Sequence, residues 1–420
     1  MQMNKPITTS ILALALGLTA GAAQAANLTV LARLGSQHDA LTFGPDGQLY
    51  GAASGGPNGY GFVFKISTSG ALTTLANLDP ATSGLGSPGG LVFDSTGNIF
   101  GTASDSRNVG AKATIFKLTP TGTLSRVATL GTNTYPSDGL TIDASGTLYG
   151  VTPFAQSQYG SYGSVFKVTS AGVATTLATF NNTNGAYPAA QVTLDAAGNI
   201  YGTTQNGGLG FNQYNNGYGT VFKISTTGVF TTLTDSLPGA NPRGKLAIDG
   251  SGNIFGTTSG GYIWKMSSAG AFTTLARFNG SNGLGVGPAG GLLLDAAGNL
   301  FGTTVGGGDT VFGANTGVGT VFEYTAAGVL KTLATFNNDN GYSPEAGLTA
   351  DAAGNLYGTT RSTIFKLGDT GFVPFAAGVP EPANWALLLT GFGMTGAVMR
   401  RRSLRNTADR GELRYEASRG

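Results

Sequence analysis

A glycine turn returns about every fifty residues along most of this chain. It falls at Gly47, Gly97, Gly146, Gly198, Gly252, Gly298 and Gly354, with spacings of 50, 49, 52, 54, 46 and 56 residues. A period of that size restricts a chain to a solenoid, a propeller or an array of small units. The fourth unit shows the pattern well. Its turn, Asp195-Ala196-Ala197-Gly198-Asn199, leads into Ile200-Tyr201-Gly202-Thr203-Thr204. Four short runs follow one another there, a (192–195), b (199–204), c (220–225) and d (229–234). They are rich in Val, Ile, Phe, Tyr and Thr and are bounded by Gly, Asn and Asp, which is the signature of short strands. Helices are disfavoured, because 70 of 420 residues are glycine and each glycine costs about 1 kcal/mol in a helix.

The a–b connection reads as a tight hairpin. Its glycine supplies positive φ, and the preceding aspartate can accept hydrogen bonds from turn amides. That aspartate is Asp94, Asp143, Asp195, Asp249, Asp295 and Asp351 in six units, whereas the first unit has Gly44 there and Asp46 beside its turn glycine. The role assigned to these aspartates is structural.

Four strands in each of seven units predict an all-β, seven-bladed β-propeller. The seventh unit supports closure. Its d run would be Gly371-Phe372-Val373-Pro374-Phe375, which contains a proline and lacks the Thr-Thr-Leu core. Residues 28–34, LTVLARL, resemble d runs such as FTTLARF at 272–278. The first d-like run can therefore complete the last blade and leave no open edge.

Composition excludes several chemistries. There is no cysteine and one histidine, His38, so thiolate metal sites, disulfides and multi-histidine metal centres are ruled out. Between residues 26 and 375 there are 15 basic and 17 acidic residues, a net charge of −2. Such a body offers no clustered cationic surface for nucleic acid. No catalytic residue, metal ligand or cofactor site is assigned. The repeated c-strand lysines, Lys65, Lys117, Lys167, Lys223, Lys265 and Lys366, are interrupted by Glu323. They are expected in solvent at strand ends, or snorkelling past the neighbouring blade.

The ends read as addresses. Residues 1–25 combine Lys5, an apolar run at 11–20 and Ala23-Gln24-Ala25, the arrangement of a cleaved signal peptide. The far end carries Pro380-Glu381-Pro382, an apolar stretch from Trp385 to Met399, and Arg400-Arg401-Arg402. Those three elements in that order resemble the PEP-CTERM sorting signal of Gram-negative bacteria. The resemblance implies a C-terminal membrane helix and processing by an exosortase-type enzyme after signal peptidase has acted. It also implies an inner-membrane intermediate facing the periplasm, then a cell-surface or extracellular protein. The 18 residues that follow Arg402 depart from that pattern. The domains expected are thus a signal peptide at 1–25, a propeller at 26–375 and a sorting segment with basic tail at 376–420.

The repeats themselves resemble the GloVer tandem repeats of exported bacterial proteins. The matching stretches include Gly298-Asn299-Leu300-Phe301-Gly302-Thr303-Thr304, Gly319-Thr320-Val321-Phe322 and Thr332-Leu333-Ala334-Thr335-Phe336. That family implies no activity.

Loop length points to one face. In a four-stranded blade the b–c and d–a loops emerge together, and here they are the long and variable ones. The loop at 205–218 has 14 residues, whereas the one at 259–260 has two. Variation confined to one face of a scaffold marks the side that carries function. That face presents Phe211, Tyr214, Tyr218, Tyr159, Tyr162, Tyr187 and Tyr342 among asparagines and glycines, a set suited to stacking on sugars. The asparagine-rich loops at 181–184 and 337–340 offer oxygens to a cation, or form solvated polar loops. The function expected is a monomeric, non-catalytic binding or scaffold module for extracellular polysaccharide. The competing reading is a secreted propeller lyase or glycosidase, which needs two convergent carboxylates. Asp105, Asp138, Asp309, Asp339 and Glu345 are the acids available on that face, with no recognisable pairing.

Overall fold

The computed structural model describes residues 26–35, 39–56, 59–79, 88–103, 112–132, 139–153, 162–188, 190–212, 215–280, 284–308 and 318–375. The proposed signal peptide, the sorting segment with Pro380, Glu381, Pro382, Trp385, Arg400, Arg401 and Arg402, and also Tyr159 and Tyr214, lie outside them.

These residues form seven antiparallel blades in which a, b, c and d strands pair in order. In the fourth blade the strands are Thr193–Leu194, Ile200–Thr204, Thr220–Ile224 and Phe230–Thr234. The a ladder is only two residues long in every blade, because the chain turns away at once into the aspartate hairpin. One blade carries an addition unforeseen from sequence: Val286–Pro288, in a d–a loop, pairs with the prolonged b strand Leu300–Gly306.

Each b strand has a glycine opposite an aromatic ring of its c strand. Gly202 pairs with Phe222, and a Cβ on Gly202 would stand 2.5 Å from that ring. The same approach recurs in the other six blades, with Trp264 replacing phenylalanine in the fifth. A large ring laid over the glycine covers backbone that would otherwise lack packing. The strand's Tyr-Gly-Thr or Phe-Gly-Thr pattern follows from this fit.

A bulge recurs at one level of the c–d ladder. In the fourth blade Val221 pairs with Thr234 and Phe222 with Thr232, which leaves Leu233 as the extra residue. The extra residues elsewhere are Leu75, Val127, Leu177, Leu275 and Leu333. A bulge re-aims a side chain that strict alternation would place otherwise. Each of these residues packs on the hydrophobic cluster it shares with the next blade. The Thr-Thr-Leu motif therefore encodes two ladder residues and one inward anchor.

The N-terminal strand Asn27–Arg33 pairs antiparallel with Thr363–Gly368 and supplies the seventh d strand. It reproduces the bulge: Val30 meets Phe365 and Ala32 meets Ile364, so Leu31 is the extra residue. Leu31 and Leu34 pack with Tyr357, Ile364, Leu41 and Leu49, which joins the last blade to the first. Seven blades are thus joined by seven apolar interfaces, the number a closed ring requires. An open stack of the same blades would have one interface fewer.

Residues 369–375 do not add a strand. Thr370 Oγ1 donates to Gly354 O at 2.8 Å, Phe372 packs on Phe301, and Val373 N donates to Asp295 Oδ2 at 3.2 Å. The chain thus crosses the a–b hairpins of two blades, and Phe375 reaches the axis. Asn27 pairs with Gly368, at the c–d turn end of its blade. Both ends of the ring-forming chain therefore leave from the a–b turn face.

Candidate binding face

The a–b hairpins rest on their aspartates. Asp195 Oδ1 accepts from the Ala197 and Asn199 amides at 3.0 and 2.8 Å. Its Oδ2 accepts from Asn199 Nδ2 at 2.7 Å and Tyr201 OH at 3.1 Å. Asp94, Asp143, Asp249, Asp295 and Asp351 accept from the corresponding turn amides. In the first blade Asp46, two places along, still receives Gln48 N and Tyr50 OH, at 3.1 and 2.9 Å. The carboxylates are therefore occupied by their own turns. Burial works against the charge of Asp94 and Asp351, yet hydrogen bonds from Asn98 and Asn355 outweigh it and hold both below the usual carboxylate range. Burial, with the aspartate as acceptor, pushes the Tyr50 and Tyr149 hydroxyls up to about 12. Among the described residues no three His, Cys, Asp or Glu converge on a metal position.

Four of the six c-strand lysines lie over aromatic rings of their own blade, and Lys65 meets Asp46 at 3.8 Å. Lys223 Nζ is 5.4 Å from the centre of Tyr201, its cross-strand partner, and Lys117, Lys265 and Lys366 repeat the contact. Cation–π attraction favours this placement. Glu323, which breaks the series, is buried and meets Lys331 Nζ at 3.2 Å.

The b–c and d–a loops do share the opposite face. Gln205 N donates to Tyr187 O and Asn206 N to Ala186 O, both at 3.0 Å. Tyr187 N in turn donates to Tyr162 O of the preceding blade at 2.8 Å. The loop that ends at Tyr218 contains a small two-stranded ribbon, Phe211–Asn212 against Asn215–Asn216. Of the aromatic residues expected on this face, Tyr218 and Tyr342 are exposed. Tyr187 is half-buried, and Tyr162 packs into the core between the third and fourth blades. The asparagine loops close on themselves: Asn181 and Asn184 exchange amide-to-side-chain bonds at 2.9 and 3.1 Å, and Asn337 and Asn340 do the same at 2.7 and 2.9 Å.

Sequence reasoning missed the axial channel. Residues from all seven a strands line a cavity of about 660 Å³. At its loop-face end the d–a loops bring Asp39, Arg243, Lys245 and Glu345 to the lining, and the turn after the last b strand adds Arg361. Arg361 Nε and Nη2 both donate to Glu345 Oε1, at 3.1 and 2.6 Å. Asp39 lines the channel and is half-buried, and desolvation pushes its carboxyl up to about 6. Arg243 and Glu345 both stand four residues before their inner strands, and Asp39 and Lys245 stand three and two residues before theirs. Alignment of the seven pre-strand segments, not motif reading, is the signal that finds them.

A seven-bladed propeller closed by its own first strand is the class these observations define. The family model of the Gloeobacter/Verrucomicrobia repeat matches residues 36–262 and 216–371, and the chain belongs to that family. No protein of curated function matches it in sequence. Among solved structures, one assigned as a gluconolactonase is similar at 13% identity and a TM-score of 0.43, over 83% of this chain and 93% of the other. A luciferin-regenerating enzyme is similar at 14% identity and a TM-score of 0.44, over 69% of this chain and 93% of the other.

Proposed function

We propose that this protein is an exported, surface-sorted propeller that binds extracellular polysaccharide through its loop face and does not transform it. One observation carries the reading: the long, variable connections gather on one face of a closed ring whose other face is made of short hairpins. Exposed Tyr218 and Tyr342 on that face suit stacking on sugar rings. Of the acids expected on that face, Glu345 is paired with Arg361, and Asp105, Asp138 and Asp309 lie outside the described residues. The route to the surface rests on sequence: signal peptidase acting after Ala25, and an exosortase-type enzyme acting on the segment with Pro380-Glu381-Pro382. A chain truncated after Ala377 is then recovered from periplasm or medium and the full chain from membranes. Recovery of the truncated chain with membranes refutes the sorting role. The purified protein, applied to immobilised glycans, is expected to retain one class without releasing soluble product. Product release assigns it instead to the lyases or glycosidases.

A further inference from the structure

We propose that the loop-face mouth of the channel holds a site for the carboxylate of an acidic sugar, seated between Arg243 and Arg361. The proposal rests on the polysaccharide reading and gives it a substrate class. Three consecutive d–a loops build the site. Gly244 lies against Gly290, and Gly290 against Ala346, so closely that a Cβ on either glycine would come 2.5 Å from the facing carbonyl. Where the middle loop meets the channel, its segment Ala289-Gly290-Gly291 carries no side chain larger than a methyl group. It is a low floor between two walls. Arg243 and Lys245 stand on one side, and the Glu345–Arg361 pair on the other.

The charges on these walls decide the ligand. Arg243 is exposed, and among the described residues its side chain meets only Asn241 Oδ1, a neutral oxygen at 3.5 Å. It therefore retains donors in a fork that matches a carboxylate. Arg361 spends two donors on one oxygen of Glu345, which leaves Oε2 as an acceptor for a sugar hydroxyl. The Arg361 amide is held by Tyr342 O at 2.9 Å, which brings the exposed Tyr342 beside this wall. A cationic fork, a hydroxyl acceptor, an aromatic ring and a glycine floor together suit a uronate. A neutral hexose would leave the fork unused, and an inorganic anion would leave the ring and the hydroxyl acceptor unused.

The test is calorimetric titration of the full chain, in detergent and at low salt, with tri-galacturonate, maltotriose and sodium sulfate. Tri-galacturonate is expected to bind at least about tenfold more tightly than either of the others, and to weaken as salt rises. Arg243→Glu and Arg361→Ala are each expected to cost about tenfold or more with the melting temperature little changed, as loss of a close charge contact does. Arg243→Lys provides a fold-neutral check and should retain part of the affinity. Val173→Ala, exposed in a c–d turn on the opposite face, should retain all of it. Undiminished binding by Arg243→Glu overturns the site, as does loss of binding in Val173→Ala. Equal competition by sulfate shows a simple anion site and overturns the sugar. If maltotriose or another neutral glycan binds and tri-galacturonate does not, the inference falls while the polysaccharide reading stands. If no glycan binds, both fall.

Discussion

Single aspartates fix the hairpins, and their environments differ enough to separate their effects. Asp295 is 2% exposed and also receives Val373 N from the crossing C-terminal segment. Asp94 serves only its own turn. Asp295→Ala should therefore cost about 2–3 kcal/mol and Asp94→Ala about 1–2 kcal/mol, because removal strands more buried amides in the first case. Chemical denaturation of both variants measures the difference. Asp39 provides the opposite pH behaviour. Its folded carboxyl titrates near 6, above the ordinary 3.8, so the folded state binds the proton more tightly and stability falls as pH rises from about 4 to 6. The lowered carboxyls Asp46, Asp94 and Asp351 contribute stability above their ordinary range that is lost as pH falls below it. Asp39→Asn should raise the melting temperature at pH 7.5 and leave it nearly unchanged at pH 3.5; melting curves at the two pH values check the sign. The turn role of the aspartates was legible because Asp and Gly recur at fixed offsets. Their tyrosine partners were not, since Tyr201 sits six residues beyond Asp195 and the pleat decides which face it takes.

At the scale of the strand, the chain's repeats encode features finer than strand or turn. The bulge at Leu233 is one, and it was invisible in the sequence because Thr-Thr-Leu fits an unbroken strand equally well. Deleting Leu233 should place the rest of that d strand in the wrong register and cost more than about 2 kcal/mol. Leu233→Ala keeps the register, and because the side chain is only half-buried it should cost about 1–2 kcal/mol. The two melting temperatures separate register from packing. The glycine–aromatic pair is another such feature. Gly202→Val meets the Phe222 ring directly and should cost about 1–3 kcal/mol, and Phe222→Leu in the same chain should recover part of that loss. The c–d turns follow a pattern that sequence reading passed over: Ser225 Oγ accepts from Val229 N at 3.0 Å, and Ser67, Thr119, Thr169, Ser267 and Thr325 accept in the same way.

For the whole molecule, closure was readable because one d run is missing at the end of the repeats and one is spare at the start. Deleting residues 26–35 should remove the d strand of the last blade along with Leu31 and Leu34 from the seam. Aggregation or a large fall in melting temperature is expected. A peptide of residues 26–35 added in trans should restore part of the loss by pairing with Thr363–Gly368, as a strand added to an open edge does. A truncated chain that stays monomeric with unchanged melting contradicts closure by this strand. The channel was not legible, because its lining comes from loops about fifty residues apart that only the ring brings together. Much of the expected aromatic face lies in loops of irregular composition, where no periodicity fixes a side chain's direction.

The seam between first and last also acts as a check on completeness. Asn27, at the start of the ring, finds its partner in Gly368, 341 positions later. A chain that stops anywhere before its final c strand therefore carries an unsatisfied strand at its beginning as well as at its end. Only a chain read through to the last repeat can conceal both. Fragments left by premature termination keep both edges open, and such unpaired edges are where pairing with other chains begins.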